Sequence, residues 1–173
     1  MDETSGQREV ISRRYPRASA KTVIGSSSVN TKLPEDVCDV RVCPNDKSLD
    51  FWIPQGFLTQ PETDLLIVAF DPLYFDALIP PDDSLAGDQW KVSQAAVANL
   101  LCVDTIYAGV LEATVEQCTA EGTRVSIQGT VEGAINGAST SIAVEGDYDW
   151  IPSSNADGEL SALRVVIQES RTV

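Results

Sequence analysis

The last third of the chain constrains the fold most. Four runs alternate apolar and polar residues: "TIYAGVLEATVEQC" from Thr105, "TRVSIQGTVEGAI" from Thr123, "ASTSIAVEGDYDW" from Ala138 and "ELSALRVVIQESR" from Glu159. Period-two alternation places alternate side chains on opposite faces of a strand. The runs are separated by "TAEG", by Asn136-Gly137 and by a loop containing Asp157-Gly158. Asn-Gly between alternating runs is the strongest short hairpin signal, because both residues tolerate positive φ. The pattern predicts an antiparallel four-stranded meander over 104–173.

The alternation also sorts the faces. One face takes Tyr107, Leu111, Ala113, Val115, Val125, Ile127, Val131, Ile135, Ile142, Val144, Tyr148, Trp150, Leu163, Val165 and Ile167. The other takes Glu112, Glu116, Glu132, Glu145, Asp147 and Asp149. A sheet with one apolar and one charged face has one side in water and needs a cover for the other. Gly109, Gly129, Gly133 and Gly146 fall on the apolar face, where in-strand glycine marks bends or close approach. They predict a strongly curved sheet.

The segment 59–103 supplies the cover. Thr59-Gln60-Pro61-Glu62 has the form of a capping box. Asp71-Pro72 is a second helix start, with an Asx cap and proline at the first helical position, and Pro80-Pro81 stops it. A third helix runs from about Ser93 to Cys102, with Ala96, Val97, Leu100 and Leu101 on one stripe. Between them, Gly87, Asp88 and Trp90 read as a structural hinge joining the N-terminal half to the meander. Gly87 permits a tight turn, Asp88 bonds nearby backbone N–H groups, and Trp90 pins the turn to the core.

Upstream, 1–7 reads as a disordered tail and 8–58 as N-terminal strands and a hairpin. Glu9 to Ile24 is extended, interrupted at Pro16. Gly25–Asp36 is a polar loop, and "VCDVRVC" and "SLDFWI" form a hairpin around 44–47. The whole of 8–173 is expected to form one α+β domain. In it a curved antiparallel sheet of six or seven strands packs one face against two or three short helices.

Several chemistries are excluded. The chain has no histidine, which removes Ser-His-Asp triads and histidine metal ligands. It carries no phosphate-loop, dinucleotide or nucleophile-elbow motif. A net charge of −14 repels nucleic acid and anionic lipid surfaces. No apolar run reaches the length of a transmembrane helix, and the N-terminus lacks the apolar core of a signal peptide. Four cysteines, Cys38, Cys43, Cys102 and Cys118, do not form a small disulfide framework. Cys38 and Cys43 in one strand lie about 16 Å apart, so Cys102 with Cys118 is the better candidate pair, and the favoured expectation is four buried thiols. No cofactor or metal site is expected. The outward carboxylates read as a solvated face, and an enzyme is not expected.

The stretches "FLTQPETDLL", "LIPPDDSLAGDQWKVSQAAVANLL" and "GTVEGAINGASTSIAVEGDYDW" together resemble an uncharacterised family of exported planctomycete proteins. The matching residues are Leu58, Thr59, Asp64, Leu65, Leu66, Leu78, Ile79, Pro80, Gly87, Asp88 and Trp90. They continue with Gly129, Val131, Gly133, Gly137, Thr140, Ile142, Val144, Gly146 and Tyr148. The resemblance spans roughly Arg14 to Arg171. It implies an exported protein of the cell envelope with a curved antiparallel sheet and no established activity. Lacking an export signal and beginning where N-terminal strands are already expected, the chain departs from the family as a truncated or divergent member would.

Two functional expectations follow. The first is a non-catalytic structural or interaction module of the cell envelope, with an envelope protein as partner and the sheet edge or acidic face as its contact. The second is a carrier or sensor of an apolar, lipid-like small molecule held between the sheet and its helices. Its ligand face comprises Trp90, Val97, Leu100, Leu101, Leu111, Ile127, Val131, Val144 and Val165. The oligomeric state is left open.

Overall fold

A computed structural model of the chain describes residues 10–24, 26–35, 37, 39–44, 49–151 and 159–172. The expected tail at 1–7, the turn after Pro44, the Asp157-Gly158 loop and Cys38 lie outside the described residues. The chain forms two compact units, Met1–Val68 and Ala69–Val173. The divide falls inside the stretch 59–103 that the sequence reading treats as one helical segment of a single domain.

In the first unit, β1 (Ile11–Arg14), β4 (Asp39–Pro44) and β5 (Leu49–Trp52) make a three-stranded antiparallel sheet in the order β1-β4-β5. Val40 and Val42, two apart on β4, are fully buried. The hairpin expected between the two strand-like runs is the β4–β5 pair, with Val42 opposite Phe51. A separate hairpin pairs β2 (Ser19–Ile24) with β3 (Ser27–Lys32). Here the sequence reading erred, since Gly25–Asp36 was expected to be a loop. Polar side chains do not prevent a strand that has a paired neighbour and an exposed face, and most of β3 is exposed. Helix α1 (Gln60–Asp64) starts at Thr59. The Glu62 carboxylate accepts from the Thr59 N–H at 2.7 Å and from its hydroxyl at 2.8 Å. These bonds hold the Glu62 carboxyl below its ordinary pKa.

The second unit contains the α+β core. A 3₁₀ helix (Pro72–Leu78) is followed by β6 (Gln89–Lys91) and α2 (Gln94–Leu101). The long strands follow: β7 (Thr105–Thr119), β8 (Gly122–Ile135), β9 (Ala138–Ile151) and β10 (Glu159–Thr172). The sheet order is β10-β9-β8-β7-β6, antiparallel throughout. The expected meander is therefore present, and a fifth short strand extends it. Asn136 and Gly137 make the β8–β9 turn, both with positive φ.

The faces follow the alternation with one correction. Tyr107 was assigned to the apolar face but is 65% exposed. A bulge between Ile106 and Ala108 advances the register there, so Ile106 packs against the core in its place. The rest of the inner face is dense. Leu111, Ala113, Val125, Ile127, Val131 and Tyr148 are buried in one cluster with Leu78, Val97, Leu100 and Leu101.

The in-strand glycines account for how a cover of so few helical turns suffices. A Cβ at Gly129 would lie 2.0 Å from the Val110 carbonyl oxygen and 2.9 Å from Leu111 Cα. At Gly109, where φ is +99°, it would lie 2.1 Å from the Thr130 oxygen. Backbone occupies the space where a side chain would stand, so the sheet coils sharply at these points. Gly129→Ala is expected to cost about 2–3 kcal/mol, the range of an overpacked core. Gly137→Ala, whose Cβ meets nothing within 4 Å despite a φ of +78°, is expected to cost about 1 kcal/mol. Urea unfolding of the two variants decides it. Equal costs would remove the close-approach explanation.

Candidate functional site

Helix α2 is positioned by its caps. The Ser93 hydroxyl oxygen accepts from the Ala96 N–H at 3.3 Å. At the other end Cys102 adopts the left-handed conformation, φ 54°, and the Val103 N–H closes on the Ala98 carbonyl at 2.9 Å. Such a cap turns the chain back toward β7. The 3₁₀ helix begins at Asp71, whose buried carboxylate accepts from the Leu73 N–H at 3.0 Å. Two bonds tie these helical turns into the unit. The Phe70 N–H donates to the Leu100 carbonyl at 2.6 Å, and the buried Tyr148 hydroxyl donates to the Leu78 carbonyl at 2.5 Å.

The residues proposed as an apolar-ligand face come together. Val97, Leu100, Leu101, Leu111, Ile127, Val131 and Val144 are buried in one cluster, and half-buried Trp90 and Val165 pack against it. They are covered by protein: Leu100 and Leu111 have no exposed surface at all. At the margin, space opens. A cleft of about 390 Å³ lies beside the start of α2, lined by Val92, Gln94, Val97, Ile106, Gly109 and Val131 among others. The Gln94 amide donates across its mouth to the Ile106 carbonyl at 3.2 Å.

The stretch Gly87, Asp88 and Trp90 lies within the second unit and is stitched to β7. The Gly87 N–H donates to the Val115 carbonyl at 2.8 Å, and the Val115 N–H returns to the Asp88 carbonyl at 2.9 Å. Gly87 has φ +95°, and the Asp88 carboxylate accepts from the Leu85 N–H at 2.7 Å. Trp90 lies opposite Ala113 in β6. Further along, the Val92 N–H donates to the Leu111 carbonyl at 3.0 Å. The outer edge of β7 is thus occupied from Leu111 to Val115.

The opposite edge differs. β10 is the terminal strand of the sheet and pairs only with β9 among the described residues, from Glu159 to Thr172. Of its side chains, Val166 is 57% and Ile167 38% exposed. Sequence reasoning did not single out this edge.

The outer face holds the expected carboxylates, and cross-strand partners engage several of them. Arg124 bridges to Asp147 at 2.9 Å and to Asp149 at 4.0 Å. The Ser126 hydroxyl donates to Glu116 at 2.5 Å and the Ser141 hydroxyl to Glu132 at 2.6 Å. A shallow trough of about 480 Å³ crosses this face over Gly129, between Glu112 and Glu145. Those two lie on either side of Gln128 in the register, so their strands are about 9–10 Å apart. No cluster of metal-ligating side chains occurs among the described residues, and no helix among them is long and apolar enough to cross a membrane.

The alternative Cys102–Cys118 disulfide does not form. Cys102 and Cys118 are both free thiols. Cys102 precedes β7 and Cys118 ends it, so a strand of about 40–50 Å separates them. Cys118 is also exposed rather than buried. Burial, with the Asp71 charge second, pushes the Cys102 thiol above its ordinary pKa, which makes it less reactive. Comparison with protein-family models, curated proteins and solved structures finds no match for this chain.

Tyr148 yields a test of how the helical cover is held. Burial raises its pKa above the ordinary value of 10.0. The folded state therefore keeps the phenol proton at pH values where the unfolded chain loses it. Stability from this group is complete below pH 10 and falls as pH rises beyond it. Tyr148→Phe is expected to cost about 1–2 kcal/mol at neutral pH, because the Leu78 carbonyl loses its donor. The same variant is expected to lose less stability than the parent between pH 9 and 11. Thermal unfolding across that range checks both, and parallel pH profiles would contradict the assignment.

Proposed function

We propose that this chain is a non-catalytic interaction module of the cell envelope, and that its second unit receives an extended polypeptide segment along the edge of β10. The observation that carries this reading is the asymmetry of the five-stranded sheet. One edge is covered by the three-residue β6 and its flanking backbone bonds, from Leu111 to Val115 of β7, and the other is a 14-residue strand paired on one side only among the described residues. An unpaired edge offers a row of backbone donors and acceptors, and strand addition is a recurrent mode of peptide recognition. β10 contains no proline, so no backbone donor is missing along it. The envelope location rests on the resemblance to exported planctomycete proteins.

The chemistry of the outer face agrees with a non-catalytic role. Its carboxylates are exposed or half-exposed, and several are engaged by arginine and serine neighbours.

A second reading, a carrier of an apolar small molecule, is favoured by the cleft beside α2. Its volume of about 390 Å³ falls at the small end of the range typical of ligand sites. Native mass spectrometry of protein purified from its source distinguishes this reading, through a co-purified lipid that Val97→Trp displaces.

The edge reading is tested with a lysine-flanked peptide of alternating threonine and valine, a generic strand former that complements the acidic unit. In dilute protein, amide shifts are expected along β10 and in its neighbour β9. Ile167→Lys, which places a charge on the receiving edge, is expected to weaken binding by about tenfold. Absence of shifts in β10 at saturating peptide would sink the proposal.

A further inference from the structure

We infer that the segment received by β10 is the β10 strand of a second copy of this chain, paired antiparallel about Val165. The inference rests on the edge reading above and goes beyond it by naming the occupant and the register.

Charge picks out the strand. Ala69–Val173 holds sixteen Asp and Glu against four Lys and Arg, so two copies repel each other over most of their surfaces. Of the four long strands, β7 and β9 are acidic, β8 and β10 carry no net charge, and of these two only β10 lies at an edge of the sheet. It carries Glu159 and Glu169 against Arg164 and Arg171, no net charge, and half of the cations of its unit. A neutral edge on a strongly acidic body is where two copies can meet with least repulsion.

The side chains then select a register. An antiparallel pairing about a two-fold axis perpendicular to the sheet keeps inner face with inner face, provided opposed residues differ by an even number. Centring on Arg164 opposes two guanidinium groups. Centring on Val166 sets Leu163 against Glu169, and centring on Ile167 sets Leu163 against Arg171 and Val165 against Glu169. Centring on Val165 opposes Leu163 with Ile167 of the second copy, and Val165 with itself. An uninterrupted apolar row then crosses the junction on the inner face. In the single chain this row is incompletely covered: Leu163 and Val165 are half-buried and Ile167 is 38% exposed. On the outer face the same register opposes Arg164 with Val166, the most exposed apolar side chain of the strand at 57%.

The strand also limits the contact. Glu169 and Arg171 share the inner-face parity of Ile167 and pair with each other. Inward charges of this kind protect an edge against indefinite pairing. The bulge between Leu160 and Ala162 interrupts the other end. The pairing segment is therefore short, and its buried area places the complex among weak, reversible associations. A two-fold pairing also consumes the β10 edge of each five-stranded sheet, so an assembly through this edge closes at two copies.

Sedimentation equilibrium of the full chain is expected to show a monomer–dimer equilibrium that tightens as salt rises from about 0.05 to 0.5 M, because screening relieves the repulsion. Ile167→Lys is expected to raise the dissociation constant about tenfold or more. In a Cys118→Ser background, Val165→Cys is expected to give a disulfide-linked dimer under mild oxidation, since opposed Cβ atoms lie about 4.5–5.5 Å apart. Val166→Cys and Ile167→Cys are expected to cross-link far less. Cross-linking strongest at another position overturns the register. A monomer at all concentrations, in protein whose β10 still binds the threonine–valine peptide, overturns the second copy and leaves the edge reading standing. A monomer that binds no peptide removes both.

Discussion

The second unit depends on the close approach of neighbouring strands at its in-strand glycines. Where Gly129 faces Val110 and Leu111, and Gly109 faces Thr130 and Val131, there is no volume for a methyl group. A sheet that coils at such points wraps its inner face around whatever lies against it. The material available is small: one eight-residue helix and one seven-residue 3₁₀ helix. Coiling lets Leu78, Val97, Leu100 and Leu101 reach the inner faces of β7, β8 and β9 together. A flat sheet of the same strands would leave more of that surface in water.

The same geometry explains where the cover stops. Tyr148 on β9 reaches the Leu78 carbonyl, and the residues opposite Tyr148 and Val144 on β10 are Leu163 and Ile167. Burial falls across that single step, from fully enclosed Tyr148 to half-buried Leu163 and exposed Ile167. The incomplete cover and the open edge thus coincide on one strand. Each feature alone is ordinary in an antiparallel sheet. Their coincidence, on a strand without net charge, is what separates β10 from β9 beside it, which carries Glu145, Asp147 and Asp149.

Much of this architecture was legible in the sequence, because alternation, Asn136-Gly137 and the caps at Asp71 and Ser93 each report a local constraint. Three features were not. Tyr107 was misplaced because a bulge changes face without changing composition. β3 was missed because a polar hairpin is set by pairing rather than by a buried apolar row. β6 was read as a turn because three residues carry too little periodicity, and what makes Gln89–Lys91 a strand is its alignment with Glu112–Thr114. The proposed ligand face was legible as a set of residues that meet. Whether such a set lines a space or fills one depends on packing across elements, which spacing along the chain does not encode.

That distinction bears on how a sheet of this kind acquires a binding role. An inner face used for a ligand needs helices that stand off from it. Here α2 is drawn down by its own buried stripe and by the Phe70–Leu100 backbone bond, and Tyr148 holds the 3₁₀ helix from the far side. Opening the centre would expose Leu100 and Leu111, each fully buried, at about 1.5–3 kcal/mol per side chain. Using the β10 edge disturbs none of these contacts, because its backbone groups already face outward and its inner row is already partly exposed. A binding role at the edge therefore requires less rearrangement than one at the centre, and it leaves the glycine-coiled core that shapes the sheet unchanged.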